Sequence, residues 1–574
     1  MSYALLGLFS LVVIVLVSTF ARKLGVAAPL VLVVVGIVCS FLPGLPPVDV
    51  PPELILALVL PPILYSAAVT VPLTDFRRNI KAITGLSVLL VIVSALLSGL
   101  LFWWLFPELT LPAAIAIGAV ISPTDAVAAT SIGKRLGLPP RLVTVLEGEG
   151  LVNDATALVL LRSALAATAG TVSLWQVAGD FAFAVAAAIV VGLVVGYLTV
   201  WFRSKLDNPI LNTTISFAVP FLAYAPAEAV NASGVLAVVV AGLVTGHRSA
   251  RYFTAQDRIT ERINWRTVQF VLENGVFLLM GLELKPLIEQ VTEDKLGVDH
   301  AVLFGLLATG LLIVVRILFV IPLIALLRHD QRRAERTDAR LKGVRKTIDT
   351  WEVVDERSER GLRRLRRFLT RRQADVDFLR SEGLGWRGGA VLAWSGMRGV
   401  VTLAAAQSLP HSIPYRPQLI LIAFTVAVAS LLLQGSTLPL LIRRLGIVGT
   451  SVDADRVELA GLLAEIGGLG VSTLDNPSLR QDNGKPFDPQ VIEQVRHDSQ
   501  LASEAVSELT VTDSVGPLEQ RRALRLRVLQ AERDALLDAR STGTYSSRIT
   551  EAAAHMLDLE ESRLIQLGGG SDEH

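Results

Sequence analysis

Glu147-Gly148-Glu149-Gly150-Leu151-Val152-Asn153-Asp154 opens an otherwise apolar run that reaches past Leu161. An ionised carboxylate in hydrocarbon is costly, so an acid placed there has a proton, a cation or an arginine to serve. Asp154 lies deepest of the three acids, and the rest of the chain is read outward from it. What it requires is a membrane, an ion path and partners.

Composition supplies the membrane. Of 574 residues, 52% are hydrophobic and only 18% are charged. One soluble core cannot hide that excess, and it defines an all-α polytopic membrane protein. The net charge of +1 says little, because charge is segregated along the chain. Residues 1–445 alternate apolar runs with short polar links, whereas 446–574 read as a soluble helical C-terminal domain. Cys39 is the single cysteine, which excludes internal disulfides and a cysteine metal cage. The first apolar run lacks a basic lead, and Arg22-Lys23 follow it without a small-residue cleavage site, so it reads as a transmembrane helix.

At about 20 apolar residues per crossing, about thirteen spans follow. They are Tyr3–Ala21, Ala27–Leu42, Leu54–Val71, Ala82–Phe106, Pro112–Ile132, Leu142–Ala167 and Val177–Phe202. The rest are Ile210–Ala225, Ala229–Gly246, Val268–Ile288, Ala301–Leu327, Gly388–Leu409 and Leu419–Ile442. Basic residues occupy every second link: Arg22-Lys23, Arg77-Arg78, Lys134-Arg135, Arg203, then Arg248 to Arg262, the insert after Leu327, and Arg443-Arg444. Lys295 and Arg416 are the exceptions. The chain is expected in the cell's inner (plasma) membrane. By the positive-inside rule its N-terminus lies outside and its C-terminus in the cytoplasm.

If the seventh span is a linker, spans one to six and eight to thirteen start on opposite sides, the layout of two inverted six-helix repeats. The fifth and twelfth spans then become symmetry mates. The fifth carries Ser122-Pro123-Thr124-Asp125 near its middle, where proline breaks the backbone ladder. The twelfth carries Ser395-Gly396-Met397-Arg398-Gly399, whose glycines favour unwinding. Interrupted helices at matching positions point to a binding site where they cross at the midplane.

Few ionisable groups fall inside the predicted spans: Asp125, Glu149, Asp154, Arg162, Glu273, Glu283, Arg316 and Arg398. Arg162 and Glu283 either snorkel to the interface or face inward. Asn153 and Asp154 supply hard oxygens with one formal charge between them. Thr124 and Asp125 add a hydroxyl, a carboxylate and freed carbonyls at a broken helix. Together Asp154, Asp125, Thr124, Asn153 and the nearby Glu149 form an oxygen shell suited to an alkali cation, with Asp154, Asp125 and Thr124 as its direct ligands. Burial favours the protonated form of a carboxylate, so Asp154 can hold a proton that an arriving cation displaces. That is antiport by shared occupancy, with no catalysis and no cofactor. Arg398, Glu273 and Arg316 read as structural ion-pair residues, with Glu149–Arg316 and Glu273–Arg398 the expected pairs.

Ser122–Asp125, Glu149–Asp154 and Gly396–Gly399 resemble three signatures of the monovalent cation:proton antiporters, in the sodium/proton exchanger branch. Leu60-Pro61-Pro62-Ile63-Leu64-Tyr65 and Phe277–Leu284 extend the resemblance, which covers about Leu5 to Arg444. It implies a thirteen-helix homodimer with a dimerisation bundle and a six-helix core that moves like an elevator. It also implies Asp154 as the exchange carboxylate, with Thr124, Asp125 and Asn153 around the ion. In that family, asparagine at the position of Asn153 accompanies electroneutral exchange of Na+, K+ or Li+ for H+, and a second aspartate accompanies electrogenic exchange. Two departures concern selectivity: many relatives have serine where Gly150 stands, and many have an acid where Ser66 stands.

The soluble pieces carry less information. The insert 328–387 has a basic excess, including the acid-free run Arg360–Arg372. The tail is acidic on balance and helical over Pro517–Ala539 and Ser547–Leu567. The insert reads as a solvated helical extension, or a surface for anionic lipid; the tail is expected to tune the pH at which transport begins. Neither carries a phosphate loop, and no nucleic-acid partner is indicated. Of the rival readings, a cation channel needs a continuous polar pore, which isolated acids at helix breaks do not provide. A membrane hydrolase using Asp125 and Asp154 explains neither Asn153 nor the broken twelfth span.

Overall fold

The computed structural model describes residues 2–24, 27–43, 51–170, 174–292, 297–349, 356–381 and 384–447, and in the C-terminal part 452–476, 478–481, 484–508, 517–542, 553–554, 556–562 and 564. By its contacts the chain divides into two units, Met1–Ile447 and Val448–His574. Among the described residues every regular element is helical.

In the first unit the helices run α1 Ser2–Leu24, α2 Ala28–Ser40, α3 Pro52–Thr70, α4 Ile80–Leu105, α5 Leu111–Ile121, α6 Ala126–Arg135 and α7 Pro140–Ala169. They continue as α8 Leu174–Arg203, α9 Pro209–Ala229, α10 Gly234–Tyr252, α11 Ala255–Leu282 and α12 Leu284–Thr292. Last come α13 Val298–Asp349, α14 Glu356–Ser381, α15 Trp386–Trp394, α16 Val400–Gln407 and α17 Arg416–Leu445. Among the described residues nine helical stretches are long and apolar enough to cross a membrane, and Gly7–Ala21 and Ala28–Ser40 are shorter apolar helices. The protein is a multi-pass membrane protein.

The free N–H groups of a helix start need acceptors, and side chains supply them here. Thr110 accepts from Ala113 N–H at the start of α5, Asn208 from Ile210 N–H at α9, and Ser233 from Leu236 N–H at α10. Thr254 and Asp257 form a reciprocal capping box at α11. That box explains why α11 starts well before the predicted Val268. Prolines shape α3 differently. Pro61 and Pro62 have no N–H to give, and the turn before them widens to a π stretch over Ile55–Val59, where Leu60 N–H reaches back to Ile55.

Close packing rests on small residues. A Cβ on Gly36 would lie 2.9 Å from Gly281 Cα, so α2 and α11 touch backbone to backbone. A Cβ on Gly118 would collide with the Ala95 carbonyl oxygen, which brings α5 equally close to α4. Large apolar side chains point outward where lipid covers them, and Trp103, Trp104 and Trp201 stand exposed near span ends, as interfacial tryptophans do.

The insert is helical and continuous with the last span before it. Helix α13 runs unbroken from the membrane span into it, because no glycine or proline interrupts 323–342 and the basic residues there are good helix formers. Helix α14 then returns to the membrane unit. Asp375 accepts from Arg78 Nε at 2.9 Å, and Phe378 lies 4.9 Å from the Arg78 guanidinium and 5.4 Å from that of Arg141. Arg416, an exception to the basic alternation, donates to the carbonyls of Leu409 and Gln407 and so closes the C-terminal end of α16.

In the second unit, helices cover Val452–Ser472, Pro489–Glu508 and Pro517–Thr542. The predicted helix Ser547–Leu567 falls mostly outside the described residues. Its described part is tied back by Arg525 to Glu560 at 2.7 Å and by Arg533 to Glu561 at 2.8 Å.

Candidate ion-binding site

Two helix breaks build the site. Helix α5 stops at Ile121 and α6 starts at Ala126, while α15 stops at Trp394 and α16 starts at Val400. The two unwound segments are joined directly: Asp125 N–H donates to the Met397 carbonyl at 2.6 Å. Four half-helix ends therefore meet in one place, each bringing a partial charge.

The charged side chains sort themselves by those ends. Asp125 Oδ1 accepts from Val127 N–H at 2.7 Å and so caps α6. Its other oxygen rests against the start of α16, where a Cβ on Gly399 would run into Oδ2. A carboxylate thus sits at two positive N-termini. The arginines take the negative C-termini. Arg398 Nε donates to the carbonyl of Ile121, the last residue of α5, at 3.3 Å, and its Nη1 donates to the Gly396 carbonyl. Arg316 Nε donates to the Leu392 carbonyl in the last turn of α15 at 2.9 Å.

Arg316 also holds Glu149. Its Nη1 and Nη2 donate to the two oxygens of Glu149 at 2.5 and 2.8 Å, with both side chains almost wholly buried. Thr124 Oγ1 donates to Glu149 Oε1 at 2.6 Å. Asn153 Nδ2 donates to the Thr124 carbonyl at 2.6 Å and to Thr124 Oγ1 at 2.9 Å. A carbonyl can only accept, so the Asn153 amide is oriented by this contact. Its Oδ1 is buried without a hydrogen-bond partner among the described residues.

Beside this network lies a cavity of about 760 Å³ lined by Thr124, Asp125, Gly150 and Asp154 among others. Lys134, Arg258, Arg262 and Arg266 also line it. Asp154 is 9% exposed, and among the described residues no group hydrogen-bonds or ion-pairs with its carboxylate. Gly150 packs against the α6 start, where a Cβ would lie 2.7 Å from Ala126 Cβ.

Most of the predicted site residues converge here, with two differences. Glu149 does not line the cavity: its oxygens are engaged by Arg316 and Thr124. The pairing of Glu273 with Arg398 is not formed. Arg398 spends its guanidinium on helix-end carbonyls, and Glu273 instead accepts from Gln269 and lines the cavity. Of the two ambiguous residues, Arg162 is half-exposed and pairs with Glu228 at 2.5 Å, while Glu283 is buried and accepts from Gln407 at 2.9 Å. Sequence reading missed a second buried pair, Arg203 with Glu261 at 2.9 Å, also braced by Asn212. Arg203 ends an apolar run, where an ordinary cytoplasmic anchor also stands, so nothing in the sequence marks its burial.

A shell of oxygens at crossed half-helices, with a neutralised surround and a carboxylate left open to a cavity, defines a secondary ion transporter rather than an enzyme. The chain belongs to the transmembrane sodium/hydrogen exchanger family, which matches residues 8–444. It is similar to a Na+/H+ exchanger of Mycobacterium tuberculosis described as uncharacterized, with 27% identity over 98% of this chain and 96% of that protein. It is also similar to the sodium, potassium, lithium and rubidium/H+ antiporter of Bacillus pumilus, with 26% identity over 72% of this chain and 58% of that one. Its fold matches the sodium proton antiporter MjNhaP1 of Methanocaldococcus jannaschii with a TM-score of 0.54, at 20% identity over 78% of this chain and 98% of that one.

Proposed function

We propose that this chain exchanges Na+ for H+ one for one across the cytoplasmic membrane, serving pH and cation homeostasis, with Asp154 as the carboxylate that holds either ion. The observation that carries this reading is the isolation of Asp154. Among the described residues its carboxylate has no partner on the cavity, while Glu149 is held by Arg316 and Asp125 is held at two helix starts.

The cycle needs few moving parts. A cation reaching the cavity meets Asp154, Asp125 and the oxygens of Thr124, and displaces the Asp154 proton. The loaded site is neutralised and can cross, whereas the empty charged site cannot. A proton then returns on the same carboxylate. Asn153 does not titrate, and its two bonds hold the unwound Thr124 segment in register. A single titrating carboxylate that alternates between ions gives electroneutral exchange.

Thirteen spans in two inverted six-helix repeats, a homodimer, and an elevator-like core carrying the half-helices fit the two crossed breaks. Residues 1–445 form the exchanger domain, with the insert 328–387, and 446–574 a cytoplasmic domain. The N-terminus then lies outside, and the basic wall of the cavity, with Lys134, Arg258 and Arg262, faces the cytoplasm.

K+ is the second cation to consider. Gly150 removes a hydroxyl that many relatives have, and the Bacillus pumilus relative is named for potassium as well as sodium. Proton flux into proteoliposomes at zero membrane potential, driven in turn by Na+, K+ and Li+, tests the reading. Saturable flux that reverses with the imposed proton gradient supports it. Flux that is blind to the cation gradient overturns it.

A further inference from the structure

The cavity wall carries five carboxylates: Asp125, Asp154, Glu147, Glu261 and Glu273. Two are matched by basic side chains, Glu147 by Lys134 at 2.7 Å and Glu261 by Arg203 at 2.9 Å. Three have no basic partner among the described residues: Asp125, Asp154 and Glu273. The exchange cycle uses the first two. Glu273 is unassigned.

Its surroundings fix it in place. Gln269 Nε2 donates to Glu273 Oε1 at 2.7 Å, and Gln269 Oε1 accepts from Ser66 Oγ at 2.9 Å. The string Ser66–Gln269–Glu273 presents a donor to one carboxylate oxygen, which a charged carboxylate accepts on either atom. The other oxygen carries no hydrogen bond within the described residues. Ser66, Gln269 and Glu273 all line the cavity. They are carried by α3 and α11, whereas Asp125 and Asp154 are carried by the α5–α6 break and by α7.

We propose that Glu273 is a second cation station, which holds an incoming alkali cation on the α3–α11 wall before it passes to Asp154 and Asp125. The proposal rests on the exchange reading and deepens it. The basic residues on the same cavity repel a cation, so a carboxylate without a basic partner on the route raises cation occupancy where bulk attraction does not. Because the station and the exchange site stand on different helices, the station serves only the state in which both face one cavity. Its effect is therefore one-sided.

Glu273→Gln keeps the shape and removes the charge. With cation presented on the cavity side of oriented proteoliposomes, KM for Na+ is expected to rise by about fivefold or more, with kcat changed less than about twofold. With cation presented on the opposite face, KM stays at the parent value. Ser66→Ala loosens the string without touching the carboxylate and is expected to raise the same KM by a smaller factor. Glu273→Asp is expected to recover part of the loss.

Parent KM on both faces in Glu273→Gln overturns the proposal, as does an equal rise on both faces. If Glu273→Gln does not fold, parent KM in both Ser66→Ala and Glu273→Asp overturns it. Failure of the exchange reading looks different: the parent protein itself then shows no cation-coupled proton flux.

Discussion

Replacing Arg316 with methionine probes how the site keeps a charge in the membrane interior. Methionine fills similar length but takes away three donors, two to Glu149 and one to the Leu392 carbonyl. Both partners of the pair are almost wholly buried, at 1% and 3% side-chain exposure, so water does not replace the lost arginine. Breaking a buried pair from one side costs about 3–5 kcal/mol, because the remaining charge is left uncompensated. The freed Leu392 carbonyl adds about 1 kcal/mol or more. Glu149→Gln leaves the Arg316 charge uncompensated in its turn and sets an amide NH2 against one arginine donor, so it should cost a similar amount. The informative variant is the double replacement Glu149→Gln with Arg316→Met. It leaves neither charge of this pair uncompensated by the other and should recover a large part of the single-variant loss, giving a coupling of about 2 kcal/mol or more. Thermal unfolding of the purified parent, both singles and the double in one detergent measures this cycle. Strict additivity of the two single effects would refute the reasoning, and so would an unchanged unfolding temperature for Arg316→Met.

Other perturbations separate structural from functional roles. Gly399→Ala forces a Cβ into Asp125 Oδ2 and should abolish exchange while the protein still reaches the membrane, as read by flux against surface expression. Gly150→Ser restores the hydroxyl that many relatives carry, but its Cβ meets Ala126 Cβ at 2.7 Å; the overpacking should cost about 1–3 kcal/mol in an unfolding assay. Asn153→Asp replaces the donor that holds the Thr124 carbonyl, and the bond survives only while the new carboxyl is protonated. Its exchange should therefore fall relative to the parent as pH rises, which a pH series of initial rates reads directly. Arg162→Ala breaks a half-exposed pair and should change unfolding by no more than about 1 kcal/mol, in contrast to Arg316.

The membrane fold was legible because apolar runs of span length leave few alternatives, and the two breaks were legible because Pro123 and the glycines around Arg398 weaken a helix where they stand. The crossing itself, through Asp125 N–H and the Met397 carbonyl, joins positions too far apart in the chain for any local pattern to mark. Pairing was harder. The expected contact between Glu149 and Arg316 is formed, but Glu273 and Arg398 were matched on charge alone. That matching ignored the acceptors a broken helix creates: Ile121 and Gly396 present carbonyls with no helical partner, and Arg398 answers them instead. Glu273 was then left to face the cavity, a position that depends on how α11 packs and not on any nearby residue. The insert followed the same rule. Its helix is written in composition, but its docking through Asp375 and Phe378 is a tertiary fact.

The most direct test of the central claim is cation-driven proton flux in proteoliposomes made with Asp154→Asn. The variant keeps side-chain size at a position with no hydrogen bond to lose among the described residues, so it should fold, reconstitute and retain the Glu149–Arg316 pair. No Na+-, K+- or Li+-dependent proton movement above protein-free vesicles is predicted, beside robust flux from the parent. Cation-coupled proton exchange that persists in Asp154→Asn would contradict the role given to this carboxylate.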